Sequence, residues 1–276
     1  MCYQIKYAYT SHIGKIRGNN EDNFWCCGNT LPADNRGSEG IHAGVISRAK
    51  IPALAVFDGM GGESCGEMAA FLASEEFGNY YETNKKTLRK NPNEFVEGLC
   101  RSMNQAVCRY GDENRISSMG TTVAMLLFGA ENIYACNLGD SRVYTVDEDG
   151  FFQISTDHVI GKFAFGKAPL TQYLGIPEEQ QFPDPTVSEI KYKTGRRFLL
   201  CSDGMTDMLS DGEIADILTR EIPLESTVEV LLERVLAKGA RDNVTIVLCE
   251  VQQPVPGERL KKWLGGLRKE IVGEVV

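Results

Sequence analysis

Histidine is scarce in this chain. His12, His42 and His158 are the only three among 276 residues, and they share no metal-ligand spacing, so an imidazole-built metal centre is not expected. Long apolar runs are missing too. The longest are about strand length, far short of the roughly 20 residues a membrane span needs. The opening segment MCYQIKYAYT lacks the basic-then-apolar layout of a secretory signal. Positive charge is in deficit, with 29 Lys and Arg against 38 Asp and Glu and a net charge of −9. Nucleic acid and anionic membranes both reward Lys and Arg, so neither is expected as the main partner. No Cys-x-x-Cys occurs among the nine cysteines, their number is odd, and Cys136, Cys201 and Cys249 sit inside apolar, strand-like runs. That pattern argues against a disulfide framework and for a reducing cytoplasm. No internal repeat is present, and the length permits one large core without requiring a second domain.

Strand patterns rich in β-branched and aromatic residues recur at 3–9, 53–57, 121–128, 132–138, 141–146, 186–192, 196–202 and 243–251. Two long helical segments follow Asp58, the second with Phe95, Leu99, Met103, Ala106 and Tyr110 on one face. Two more helices follow Asp203, one capped by Ser210 with Glu213, the other by Ser226 with Glu229 and ending at Gly239. Strands, two helices, more strands, two helices and a last strand do not form the strict alternation of a parallel sheet. They predict an α+β fold in which two stacked antiparallel sheets are flanked by helix pairs, an α-β-β-α sandwich. The polar segment 28–50 reads as an insertion between two strands, and 1–252 as one catalytic domain. A tail at 253–276 follows the Pro254-Val255-Pro256-Gly257 break. In it Leu260, Leu264, Leu267 and Ile271 recur at helical spacing, but Gly265-Gly266 favours a frayed end over a docking helix.

Four acidic motifs stand at the ends of β-like runs. They are Asn20-Glu21-Asp22-Asn23, Asp58-Gly59-Met60-Gly61-Gly62, Ser202-Asp203-Gly204 and Asp242-Asn243-Val244-Thr245. A strand that delivers a carboxylate at its tip brings acids together from distant parts of a chain. Clustered carboxylates repel one another and resist burial, so they persist as anions mainly when a cation neutralises them. Hard oxygen ligands favour magnesium or manganese over zinc. The chain reads as built to hold two or more such ions.

These motifs, together with Gly14-x-x-Arg17, Met119-Gly120-Thr121-Thr122, Gly139-Asp140-Ser141-Arg142-x-Tyr144, Leu170-Thr171-Gln172-x-Leu174-Gly175, Cys201-Ser202-Asp203-Gly204-x-x-Asp207 and Asp242-Asn243-x-Thr245, occur in one order across residues 3–251. In that order the chain resembles the metal-dependent serine/threonine protein phosphatases of the PPM type, also called type 2C, in the form of their bacterial branch. The resemblance implies a signalling hydrolase that removes phosphate from phosphoserine and phosphothreonine in proteins by in-line attack of a metal-bridging water, opposing a bacterial Ser/Thr kinase. It implies two Mn2+ or Mg2+ ions. Asp58 would bridge them; the Gly59 carbonyl and Glu21 would complete one shell, and Asp203 and Asp242 would hold the other ion. Asp140 and Asp207, with Asp203, match a third, weaker site. Asp22 and Asn243 would steady these ligands from behind, and Arg17 would grip the substrate phosphate. A monomer without an integral membrane segment is expected.

Elementary chemistry agrees with that assignment. Phosphomonoester hydrolysis is extremely slow unaided, two divalent ions supply both a nucleophile and charge neutralisation, and a guanidinium fork matches a phosphate. No Cys-x5-Arg phosphatase loop is recognised, so a thiol phosphoenzyme is not expected. Taken singly, several residues have plainer readings. Asp149 and Asp157 read as turn residues, Glu21 with Asp22 as a solvated pair, and Arg17 as a surface charge. Asp140 could merely cap a turn, and Asp207 could favour a helix dipole. Three departures from the family pattern stand out. Met60 replaces a histidine that is a candidate general acid, the stretch from Asp157 to Leu170 is short for a flap, and Ala240 replaces a glycine. Rival functions are a phosphatase dedicated to one small regulatory phosphoprotein and a non-catalytic phosphoprotein binder. The latter would be expected to lack an acid at Asp58, Asp203 or Asp242, and all three are present.

Overall fold

A strand covered on both faces needs apolar residues at every position rather than at alternate ones. Strand β4 (Ala53–Met60) meets that need from Ala53 to Phe57. Leu54 and Val56 face a second sheet, while Ala53, Ala55 and Phe57 pack under helices. Strand β12 (Val244–Gln252) divides likewise: Val247, Cys249 and Val251 point between the sheets, and Val244, Ile246 and Leu248 point at a different helix pair. Three apolar layers follow, one between the sheets and one under each helical coat. The computed structural model describes residues 3–61, 65–116, 118–161 and 168–253.

The remaining strands are β1 (Gln4–His12), β2 (Asp22–Cys26), β3 (His42–Ser47), β5 (Gly120–Thr121), β6 (Val123–Phe128), β7 (Asn132–Leu138), β8 (Arg142–Asp147), β9 (Gly150–Gln153), β10 (Thr186–Lys191) and β11 (Arg197–Cys201). One antiparallel sheet runs β3-β1-β12-β11-β8-β9. The other runs β10-β7-β6-β4-β2, with β5 paired to β4. Helices α1 (Gly66–Leu88) and α2 (Pro92–Asn114) cover the second sheet, and α4 (Asp211–Leu218) and α5 (Leu224–Ala237) cover the first; the one-turn α3 spans Asp203–Thr206. The expected α-β-β-α sandwich is the observed fold.

Local chemistry sets the helix ends. Asn91 caps α2 ahead of Pro92, and Ser210 and Glu213 form a reciprocal capping box at α4. The expected cap at Ser226 is corrected: α5 begins at Leu224 behind Pro223, so Ser226 lies inside its first turn. The segment 28–50 is also more than an insertion, because its second half supplies β3, which pairs with β1. That edge strand is largely exposed and carries no alternating apolar signal. Trp25 packs against Phe77 and Tyr81, as a core residue should. The tail from 254 onward lies outside the described residues.

Candidate active site

Asp58 is carried to one end of the sandwich by β4 and stands directly opposite Asp22 of β2 in the antiparallel ladder. Like charges placed that way repel. The Asp22 carboxylate is buried and accepts from Ser202 Oγ at 2.7 Å. Burial pushes its pKa up to about 7, opposed by hydrogen bonds from Ser202 and Thr245 and assisted by the charges of Asp203 and Asp242. Thr122 clasps the Asp58 backbone from the other side. The Asp58 N–H donates to Thr122 Oγ1 at 3.1 Å, and the Thr122 N–H donates to the Asp58 carbonyl at 2.9 Å. Ser141 Oγ lies 2.7 Å from the same Thr122 hydroxyl. The Met-Gly-Thr-Thr and Gly-Asp-Ser-Arg motifs therefore meet behind Asp58.

Asn243 ties the two ends of the chain together. Its Nδ2 donates to the carbonyls of Ile13 and Asn19, both at 2.9 Å, and its Oδ1 accepts from the Glu21 N–H at 2.8 Å. Its own N–H donates to Asp242 Oδ1 at 2.9 Å. The Glu21 carbonyl in turn accepts from the Gly59 N–H at 3.0 Å. Burial raises the Glu21 carboxyl above its usual range. Glycine is required where these segments touch. A Cβ on Gly59 would lie 2.0 Å from the Gly66 carbonyl oxygen, and one on Gly204 would lie 1.9 Å from that of Asn243.

Arg17, Glu21, Asp58, Gly59, Asp140, Asp203 and Asp242 line one cleft of about 330 Å³. Asp140 and Asp203 also line an adjoining cavity of about 400 Å³ with Asp207, Arg142 and Asp157. Every residue named from the sequence as a ligand or phosphate contact thus faces one of two neighbouring spaces. Arg17 grips Asp242 fork to fork, Nε to Oδ1 and Nη2 to Oδ2, each at 2.9 Å. As the side chains stand, no three acidic, thiol or imidazole groups among the described residues converge on one ion position. The lining nonetheless has the chemistry of a hard-cation site, because its donors are carboxylate and carbonyl oxygens and no histidine or cysteine of the described residues lines the cleft.

Two expectations need correction. Asp157 is more than a turn residue. Arg142 Nε lies 3.0 Å from both its oxygens and Nη2 lies 2.6 Å from Oδ2, while Arg142 Nη1 donates to Tyr144 at 3.0 Å. This clamp anchors the segment that leads to the bridge between Val159 and Leu170. The exclusion of a thiol nucleophile also needs its own ground, since Cys136 and Arg142 do stand at Cys-x5-Arg spacing. Cys136 is buried within β7, and burial drives its thiol well above the ordinary value, so no thiolate is available there. Sequence reasoning missed the positioning roles of Thr122, Ser141 and Ser202. Their one signal was membership in the ordered motifs.

A family profile described as Protein phosphatase 2C matches residues 42–249. Protein phosphatase PhpP of Streptococcus pneumoniae is 28% identical over 223 residues, 75% of this chain and 89% of its own length. Serine/threonine protein phosphatase PstP of Mycobacterium tuberculosis is 29% identical over 261 residues, 90% of this chain and 45% of its own. The catalytic domain of a serine/threonine protein phosphatase PstP, solved in complex with two manganese ions, superposes with a TM-score of 0.69 at 26% identity, covering 91% of this chain and all of that one.

Proposed function

The chain is a member of the protein phosphatase 2C family and, as such, a serine/threonine protein phosphatase; we propose that it works by divalent-metal-dependent hydrolysis in the cleft of Arg17, Glu21, Asp58, Asp203 and Asp242. The observation that carries this reading is the convergence of those side chains, drawn from both ends and the middle of the sequence, on one space. Asp58, Glu21 and the Gly59 carbonyl would hold one Mn2+ or Mg2+ ion, and Asp58, Asp203 and Asp242 a second. Asp140 and Asp207, with Asp203, would take a third. Bound there, such ions supply an acidified water and neutralise charge on the phosphoryl oxygens.

The residues of the chain do the rest. Asp22 and Asn243 fix the backbones that carry the ligands, through Ser202 on one side and through Glu21 and Asp242 on the other. Arg17 and Asp242 each have a second proposed partner, phosphate for the guanidinium and metal for the carboxylate. Their mutual fork is then a holding contact that both leave together, so neither charge is stranded. Arg17 is about two-fifths exposed, which leaves it free to swing. Met60 carries no transferable proton, so the leaving serine oxygen would take its proton from water. The substrates would be phosphoproteins made by a serine/threonine kinase, with residues 1–252 as the catalytic unit.

Hydrolysis of p-nitrophenyl phosphate and of a phosphothreonine peptide, with manganese and with chelator, tests the proposal. Turnover of both with manganese and of neither with chelator is expected. Metal-independent turnover would refute the assignment.

A further inference from the structure

Beside the carboxylate cleft lies a groove of about 450 Å³. Met60, Gly61 and Leu170 line both spaces, so the groove opens from the cleft without a break. Val107 and Met119 contribute apolar wall and Tyr173 an aromatic one. Among the described residues that line it, Asp112 carries the only charge. Asp112 lies in the last turn of α2, where the helix macrodipole is negative and no basic residue offsets it.

We infer that this groove receives a lysine or arginine side chain of the substrate, close in sequence to the phosphoresidue, with its aliphatic stem along Met60, Met119 and Tyr173 and its charged head at Asp112. The inference rests on the phosphatase reading and adds a substrate preference to it. Long cationic side chains lay their methylenes on apolar surface and keep the head group among polar atoms, and thioether and aromatic walls suit both parts. The neighbourhood is electronegative beyond Asp112 itself. Burial, then the carboxylates of Asp112, Glu178 and Glu179, push the Cys108 thiol at the groove wall up to about 11. Glu178 is partly engaged, by Gln105 at 3.0 Å and Arg101 at 4.0 Å, which leaves Asp112 as the principal selector. An acidic or short apolar residue at the same substrate position would meet the carboxylate or leave the walls uncovered.

The test is kcat/KM for alanine-based phosphothreonine peptides carrying one Lys, Arg, Leu or Glu at each position flanking the phosphoresidue, with p-nitrophenyl phosphate alongside. At one position or two, Lys and Arg should exceed Glu by about three- to fivefold, the scale of one partly exposed charge pair. Asp112→Asn should abolish that preference and Asp112→Lys should invert it, both leaving p-nitrophenyl phosphate unaffected. An active enzyme with no positional preference, or one whose preference survives Asp112→Asn, overturns the groove assignment alone. Failure to hydrolyse any substrate, p-nitrophenyl phosphate included, overturns the phosphatase reading and the groove with it.

Discussion

Gly204→Ala should uncouple stability from catalysis in a measurable way. Gly204 follows Asp203 in α3, and its backbone is in no left-handed region, so alanine is conformationally acceptable there. Propensity alone predicts stabilisation, since alanine is favoured over glycine in a helix by about 0.5–1 kcal/mol. Space predicts the opposite. The added Cβ would stand 1.9 Å from the Asn243 carbonyl oxygen and 3.3 Å from Asp242 Cβ. Real contacts of this kind keep at least 3.0 Å, and the obstructing atom is backbone. The segments bearing Asp203 and Asp242 must therefore part by about 1 Å. Such overpacking costs about 1–3 kcal/mol, and an ångström of misplacement at a reacting centre costs about 10²-fold in rate. Gly212→Ala in α4 is the matched control, because nothing lies within 4 Å of its new Cβ. It should raise Tm by about 1–4 °C and leave turnover alone. Thermal melts, manganese titration by calorimetry and p-nitrophenyl phosphate kinetics on both variants decide the matter. Gly204→Ala with wild-type Tm, metal affinity and turnover would refute the argument that α3 must touch Asn243 to set the ligands.

Asp58→Asn should reduce kcat by about 10²-fold or more and weaken manganese binding in calorimetry, with the far-ultraviolet circular dichroism spectrum retained. Arg17→Ala should raise KM for a phosphopeptide about 10- to 100-fold, the scale of a charge-assisted hydrogen bond lost, with manganese affinity little changed; an unchanged KM returns Arg17 to a surface role. Lys238 and the backbone and hydroxyl of Ser210 hold the exposed Glu213 carboxyl down at about 2. Its contribution is therefore complete above the ordinary pKa near 4.5 and fades as pH falls towards 2, so the stability gap between wild type and Glu213→Gln in urea titrations should be flat above about pH 5 and narrow below it. Ala240→Gly relieves a left-handed backbone worth about 1 kcal/mol but exposes the space of a buried methyl worth about 0.8 kcal/mol, so Tm should hardly move; a loss of several degrees would show that the methyl matters more than its transfer energy.

The sandwich was legible because its central strands carry their burial in their composition. Ala53–Phe57, Val123–Phe128 and Ile246–Cys249 are apolar at successive positions, as a two-sided core requires. What escaped were strands whose residues serve something other than the core. β2 opens with Asp22 and Asn23, both buried, and a run that begins with an acid and an amide carries little apolar strand signal of its own. β3 is an exposed edge, and β9 has four residues. Hydrophobic pattern reports burial, and these strands are defined by pairing instead.

The carboxylates were legible for a related reason: each sits where a strand ends, and strand ends of one sandwich share a rim. The contacts that hold them there were less so, because many of them involve backbone groups. Lys15 N–H donates to the Ala240 carbonyl at 2.8 Å, and a Cβ on Gly14 would sit 2.3 Å from the Asp242 carbonyl oxygen. That close passage sets the start of the Arg17 loop against Asp242. Alanine at 240 reads from the sequence as a minor change from glycine. In the structure its φ is +36°, a conformation that favours glycine, while its methyl is fully buried in the core beneath α4 and α5. One residue there serves two demands that conflict. The backbone must turn back to receive Lys15, and the side chain must fill the core, so the turn that presents Asp242 to Arg17 is anchored by packing as well as by its hydrogen bond.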